Sequence, residues 1–199
     1  TLIEYGQNLR RHGYGVYYIA HLSRKHIPLS EQQHVEEYKI LISDGLYARM
    51  FPMFDLVIPI TTTWDVVDRQ LVKGGPLVSP SDPARQQHLR EAFAAYAKRF
   101  LDAGVRHVVW VREPVPDAAV AGDQPQTQRA RHEVIYAAID AIAAAEPRVS
   151  VADLDGWLTS AGLADDPAIR PDGIHIVPPY SAQVAGRFLG PLLVKVAVS

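Results

Sequence analysis

Apolar positions along the chain alternate between a helical and an extended period, and the changes of period mark out its elements. Leu2, Tyr5 and Leu9 lie on one stripe, so residues 1–12 read as a helix that Gly13 ends. GVYYIA, residues 15–20, reads as a short strand rich in β-formers. Residues 31–50 follow a long helical pattern, weakened near its end by Gly45. DLVIPIT, residues 55–61, is a continuous apolar run of the kind found in strands buried on both faces. A turn-rich stretch, LVKGGPLVSPSDP, leads into a helix over about 83–103, with Ser81 as N-cap and Pro83 in its first turn. Gly104 stops that helix, and RHVVWV, residues 106–111, is the next buried strand. A polar loop over 112–126 is too long for a minimal connection. A helix over about 128–145, the strand VSVADL and a closing helix over about 181–194 complete the pattern.

Strands alternating with helices predict one α/β domain with a parallel sheet. Four strands are visible, and the chain opens on the helix that ought to follow another. In the flavodoxin-like order 2-1-3-4-5 the first strand is central. Its absence leaves a gap of about 9–10 Å between residues 15–20 and 55–61, lined by unpaired backbone groups. An upstream strand ahead of Thr1 is therefore expected, with all visible strands parallel. The alternating tail VKVAVS is the other segment that could fill the gap.

Composition narrows the function. The 199 residues suit one domain with a full core, and 48% hydrophobic with 21% charged residues is an ordinary globular balance. A net charge of −2, with arginines dispersed, speaks against nucleic acid as a partner. Cysteine is absent, which removes disulfides and thiolate metal sites. No His/Asp/Glu set has zinc-ligand spacing, so no metal and no cofactor are expected. No apolar run reaches the roughly 18 residues of a membrane helix.

Ligands of doubly wound sheets sit outside the carboxyl ends of the strands. The residues expected there are Ala20-His21, Thr61 to Asp65, Arg112-Glu113 and the loop from Asp155 to His175. Asp172 and His175 stand three apart around a glycine, which lets the chain turn the carboxylate back onto the imidazole. An Asp that orients a His is two-thirds of a serine-hydrolase triad. The same residues also make an ordinary surface turn. His12, His34, His88 and His132 lie on helical patterns and read as exposed, while Asp153 and Asp155 read as turn and cap residues. The glycines of His12-Gly13-Tyr14-Gly15 precede a strand and so form no dinucleotide loop.

Pro171-Asp172-Gly173-Ile174-His175 with its following helix resembles the last conserved block of the SGNH/GDSL hydrolase superfamily. Within it, the chain is most similar to SGNH domains fused to actinobacterial integral-membrane O-acyltransferases. The likeness covers nearly the whole chain in element order and rests on two motifs. These are Arg170 to His175 and the Trp-Asp pair after the third strand, in Ile60 to Arg69. The resemblance implies a three-layer fold of order 2-1-3-4-5 with its central strand upstream of this chain. It also implies a Gly-Asp-Ser turn there, its serine as nucleophile, His175 as base and Asp172 as orienter. Ser23, Ser43 and Ser181 are poor substitutes for that serine. The broad family places an oxyanion-hole Asn where Trp64 stands, and a Gly where Thr62 or Thr63 stands. Loss of one such donor costs about 3–4 kcal/mol. The Thr63 hydroxyl, the Trp64 indole N–H, local backbone N–H groups around Asp65, and Arg112 are the substitutes.

Two readings follow. One is a serine esterase or O-acyltransferase acting on O-acyl groups of carbohydrate or lipid-linked glycan. Resemblance then implies an extracytoplasmic site and an integral-membrane acyltransferase domain on the same chain. The other is a non-catalytic SGNH-like domain that binds a glycan or a partner. A flavodoxin-like phosphate binder lacks any Gly-rich loop after a strand.

Overall fold

The computed structural model of the protein describes residues 51–61 and 63–199. The elements expected over 1–12, 15–20 and 31–50 lie outside the described residues, as do Ser23, Ser43, His12, His21, His26, His34 and Thr62. In chain order the described elements begin with strands β1 (Leu56–Val57), β2 (Arg69–Gln70) and β3 (Leu77–Val78) and helix α1 (Pro83–Asp102). Strand β4 (His107–Arg112), the short α2 (Ala118–Ala121), α3 (Arg129–Ala145) and β5 (Val149–Asp153) follow. Then come α4 (Leu154–Ser160), α5 (Tyr180–Val184) and α6 (Gly190–Ala197), the last two joined by a π-helical turn over Ala185–Leu189.

Strands β1, β4 and β5 form a parallel sheet in that order, with Leu56 opposite His107 and Val108 opposite Val149. Alternation along β4 gives the sheet two apolar faces. Val108 and Trp110 join Phe93, Phe100, Ile135 and Ile139 from α1 and α3. Val109 and Val111 join Leu154, Leu158, Val184, Leu189 and Leu193 from α4 to α6. The sheet is thus a small parallel layer between two layers of helix.

Several expectations need correction. The run over 55–61 is not one continuous buried strand. Pro59 carries no N–H for a ladder, and Ile60 rejoins β4 only through a bridge to Val111. Among the described residues no strand pairs with the other flank of β1, which leaves Leu56 and Val57 half-buried. The strands are not all parallel either. Arg69–Gln70 and Leu77–Val78 form a two-stranded antiparallel ribbon across the Lys73-Gly74-Gly75 turn. The tail is helical to Ala197 and supplies no strand. The loop after β4 folds into α2 and a 3-10 turn at Pro125–Thr127. His132 is buried instead of exposed, its Nε2 bonded at 2.8 Å to the Gln126 carbonyl.

The N-cap of α1 is Asp82, not Ser81: its carboxylate accepts from the Ala84 N–H at 2.8 Å. Asp82→Ala is therefore expected to cost about 1 kcal/mol and Ser81→Ala under about 0.5 kcal/mol in urea unfolding. Equal losses would reject this cap.

Candidate functional site

The turn that carries Asp172 and His175 is anchored from below by Arg170, whose residue is only 2% exposed. Its guanidinium donates to the carbonyls of Ala164 at 2.7 Å and Val115 at 3.0 Å, and Nε donates to Ile174 at 3.4 Å. Burial away from water holds its pKa below the usual arginine value. One side chain thereby ties the loop after β4, the loop after α4 and the turn itself. Gly173 closes the turn at φ +70°, donating to the Arg170 carbonyl, while its own carbonyl accepts from Asp117 N–H at 2.9 Å. A Cβ there would lie 3.1 Å from the Asp117 carbonyl oxygen and from the Val120 side chain. The turn therefore docks on the loop leaving the carboxyl end of β4.

Within the turn the carboxylate of Asp172 is fully engaged. Oδ1 accepts the backbone N–H of Ile174 at 2.9 Å and of His175 at 2.7 Å. Oδ2 accepts His175 Nδ1–H at 2.6 Å. The bond from the His175 ring, then the two backbone donors, holds the Asp172 carboxyl well below the usual carboxylate range. An ionised carboxylate only accepts, so Nδ1 carries the hydrogen and Nε2 of the neutral ring keeps its lone pair. The His175 side chain is 80% exposed, and that nitrogen is open to a ligand or a nucleophile.

The second rim is the turn after β1. Its carbonyls are held by three arginines: Trp64 by Arg69 at 3.0 Å, Asp65 by Arg85 at 3.4 Å, and Val66 by Arg131 at 3.1 Å. Arg85 is completely buried and also reaches the Val78 carbonyl, so it links this turn, the ribbon and α1. Trp64 is 53% exposed, which excludes a buried packing role. Thr61 is buried below, its hydroxyl donating to the Val111 carbonyl.

Glu113 is the residue at this edge that sequence reasoning passed over, as the neighbour of Arg112 in a loop. It is half-buried, and its Oε2, sealed from solvent, has no hydrogen-bond partner among the described residues. Burial, then the nearby Asp65 charge, pushes its carboxyl up to about 7, against the Thr63 N–H, His175 and Arg170. Arg112, by contrast, is not brought to the dyad. Its guanidinium binds Asp140, pairs with Asp153 at 3.2 Å and lies 5.3 Å from the centre of the Tyr136 ring. Asp153 caps α4 through the Gly156 N–H at 3.0 Å. Asp155 is buried, accepting from Val115 N–H at 3.0 Å and pairing with Arg129 at 2.9 Å. Both are structural, as their positions at a strand end suggested. Among the described residues no cluster of His, Asp or Glu could hold a metal ion.

Two stability measurements test this geometry. Gly173→Ala puts a side chain at positive φ against Asp117 and is expected to cost more than about 1–2 kcal/mol in urea unfolding. Glu113 is an acid whose folded pKa is raised from 4.5 to about 7, so it destabilises the fold when ionised. Its contribution is fully present below about 4.5 and is lost as pH rises through about 7. Relative to Glu113→Gln, the wild type is expected to lose about 3 kcal/mol between pH 4.5 and pH 8. A difference that stays constant over that range would remove the buried charge from the account. No protein-family model matches this chain, and no curated protein matches it.

Proposed function

We propose that this chain is an SGNH-type acyl-ester hydrolase or O-acyltransferase domain, with His175 as general base and Asp172 as its orienter. The observation that supports it is the 2.6 Å bond from Nδ1 to Asp172, on a turn packed at the carboxyl edge of the sheet. Nothing in a plain surface turn requires a buried arginine beneath it or a carboxylate saturated by three donors.

The nucleophile in this reading is a serine ahead of Thr1. Its Oγ attacks the ester carbonyl as His175 Nε2 takes the hydroxyl proton, and Asp172 stabilises the imidazolium that results. The tetrahedral intermediate collapses, the C–O bond to the leaving alcohol breaks, and the imidazolium returns the proton to that oxygen. Water or an acceptor hydroxyl, deprotonated in turn by His175, then releases the acyl group. The Thr63 hydroxyl, the Trp64 indole N–H and backbone N–H groups near Asp65 are the oxyanion donors at hand; Thr62 belongs to the same set by sequence alone. Substrates are O-acyl groups on carbohydrate or lipid-linked glycan, at an extracytoplasmic site beside a membrane acyltransferase domain of the same chain; both follow from the resemblance. Among the described residues no helix is long and apolar enough to cross a membrane. The exposed Trp64 face favours the second reading, a non-catalytic domain that binds a glycan.

Turnover of an aryl acetate, beside a urea melt, separates the two in a chain that carries the upstream serine. His175→Ala is expected to abolish cleavage, and Asp172→Asn to lower kcat by up to about 10⁴-fold with the fold intact. Full activity in His175→Ala would leave the binding domain. Because Trp64 is exposed, Trp64→Ala is expected to change stability by less than about 0.5 kcal/mol. A fall in turnover of about 10²–10³-fold would then assign its indole to the oxyanion.

A further inference from the structure

Helix α3 presents a row of polar side chains to the loop that joins β4 to it. Arg129, His132 and Tyr136 are spaced three and four apart, so they stand above one another on one face of the helix. Each holds the loop over residues 113–126 at a different point. The Tyr136 hydroxyl donates to the Glu113 carbonyl at 2.6 Å, where the loop leaves the strand. His132 Nε2 lies 2.8 Å from the Gln126 carbonyl, where the loop returns to the helix. A carbonyl only accepts, so that ring nitrogen carries the hydrogen and donates it. Arg129 pairs with Asp155 at 2.9 Å, and Asp155 accepts the Val115 N–H at 3.0 Å. Tyr136 and His132 are both buried, and the Tyr136 ring centre lies 5.3 Å from the Arg112 guanidinium.

The stretch between these anchors is the one that meets the dyad turn. Asp117 N–H donates to the Gly173 carbonyl at 2.9 Å, and the Val115 carbonyl accepts from Arg170 at 3.0 Å. The bonds between Asp172 and His175 fix the inner geometry of the turn and not its place at the sheet edge. We propose that Tyr136 and His132 are positioning residues of the candidate site. From α3 they set the loop on which the Asp172–His175 turn docks, and through it the place of the His175 imidazole. Their significance for catalysis rests on the esterase reading, whereas the measurement below needs no turnover. Packing of α3 against the sheet is carried by Ile135, Ile139 and Ile142 in the core. The loop can therefore loosen while the sheet stays closed. Loosening shifts the turn as a unit and leaves the bond from His175 Nδ1 to Asp172 intact.

The test is amide hydrogen exchange read by NMR at three backbone N–H groups. Asp117 reports the docking bond to Gly173, His175 the inside of the turn, and Val108, bonded to the Arg148 carbonyl, the sheet. Tyr136→Phe keeps the ring beside Arg112 and removes only the donor to Glu113; His132→Leu removes the donor to Gln126. Each is expected to speed exchange at Asp117 by about 5–10-fold beyond any change at Val108, the effect of one lost hydrogen bond of ordinary strength. The His175 amide is expected to keep its rate. His132→Gln, which returns a side-chain N–H, is expected to restore the Asp117 rate. Equal acceleration at Asp117 and Val108 would make both residues general stabilisers and overturn the proposal. So would an unchanged Asp117, an acceleration at His175 as large as at Asp117, or no rescue by glutamine. If His132→Leu does not fold, Tyr136→Phe decides alone. Absence of esterase activity alongside the expected exchange pattern would overturn the proposed function and not this role of α3.

Discussion

The carboxyl edge of this sheet depends on a guanidinium withdrawn from water. Arg170 reaches the carbonyls of Ala164 and Ile174 on either side of it in sequence and that of Val115 in the distant loop after β4. Arginine suits the task because its planar fork presents several donors in fixed directions and stays charged despite the burial that lowers its pKa. Removing it would strand those carbonyls, so the cost falls on the loops and not on the sheet. The two helix layers would still close over Val108, Val109 and Val111.

Arg85 plays the corresponding part on the other rim, bonded to Asp65 and Val78 from within α1. The remaining charged groups near this edge are largely committed to architecture. Arg112 is held against Asp140 and Asp153, and Arg129 against buried Asp155. The outer nitrogen of His175 faces solvent, and one oxygen of Glu113 is buried without a hydrogen-bond partner among the described residues. The edge is therefore built largely on arginines, with His175 presented to solvent from it.

The layered α/β plan was legible because β4, β5, α1 and α3 obey their periods over several turns, and both faces of the sheet are apolar. The dyad was legible because Asp172, Gly173 and His175 are adjacent in sequence, so local geometry alone brings them together. Arg85 was not, since its partner Asp65 lies 20 residues away and a charged residue on a helix reads as solvated. The β1 region was misread because an apolar run says nothing of where its neighbours in the sheet lie, and Pro59 weighed more than the run. The ribbon at Arg69–Gln70 and Leu77–Val78 is only two residues wide on each side, too short for alternation to register.

The Asp172–His175 unit is complete within four residues, yet its place on the protein depends on one backbone bond from Asp117 and the reach of Arg170. Its inner geometry and its outer position are thus under separate control. Insertions or deletions between Glu113 and Gly122 would shift the histidine bodily without disturbing its tautomer. A fold built this way can move its histidine across the carboxyl edge of the sheet by altering loop length alone. The reach of the imidazole and its tautomer can then vary independently among chains that share the same four-residue turn.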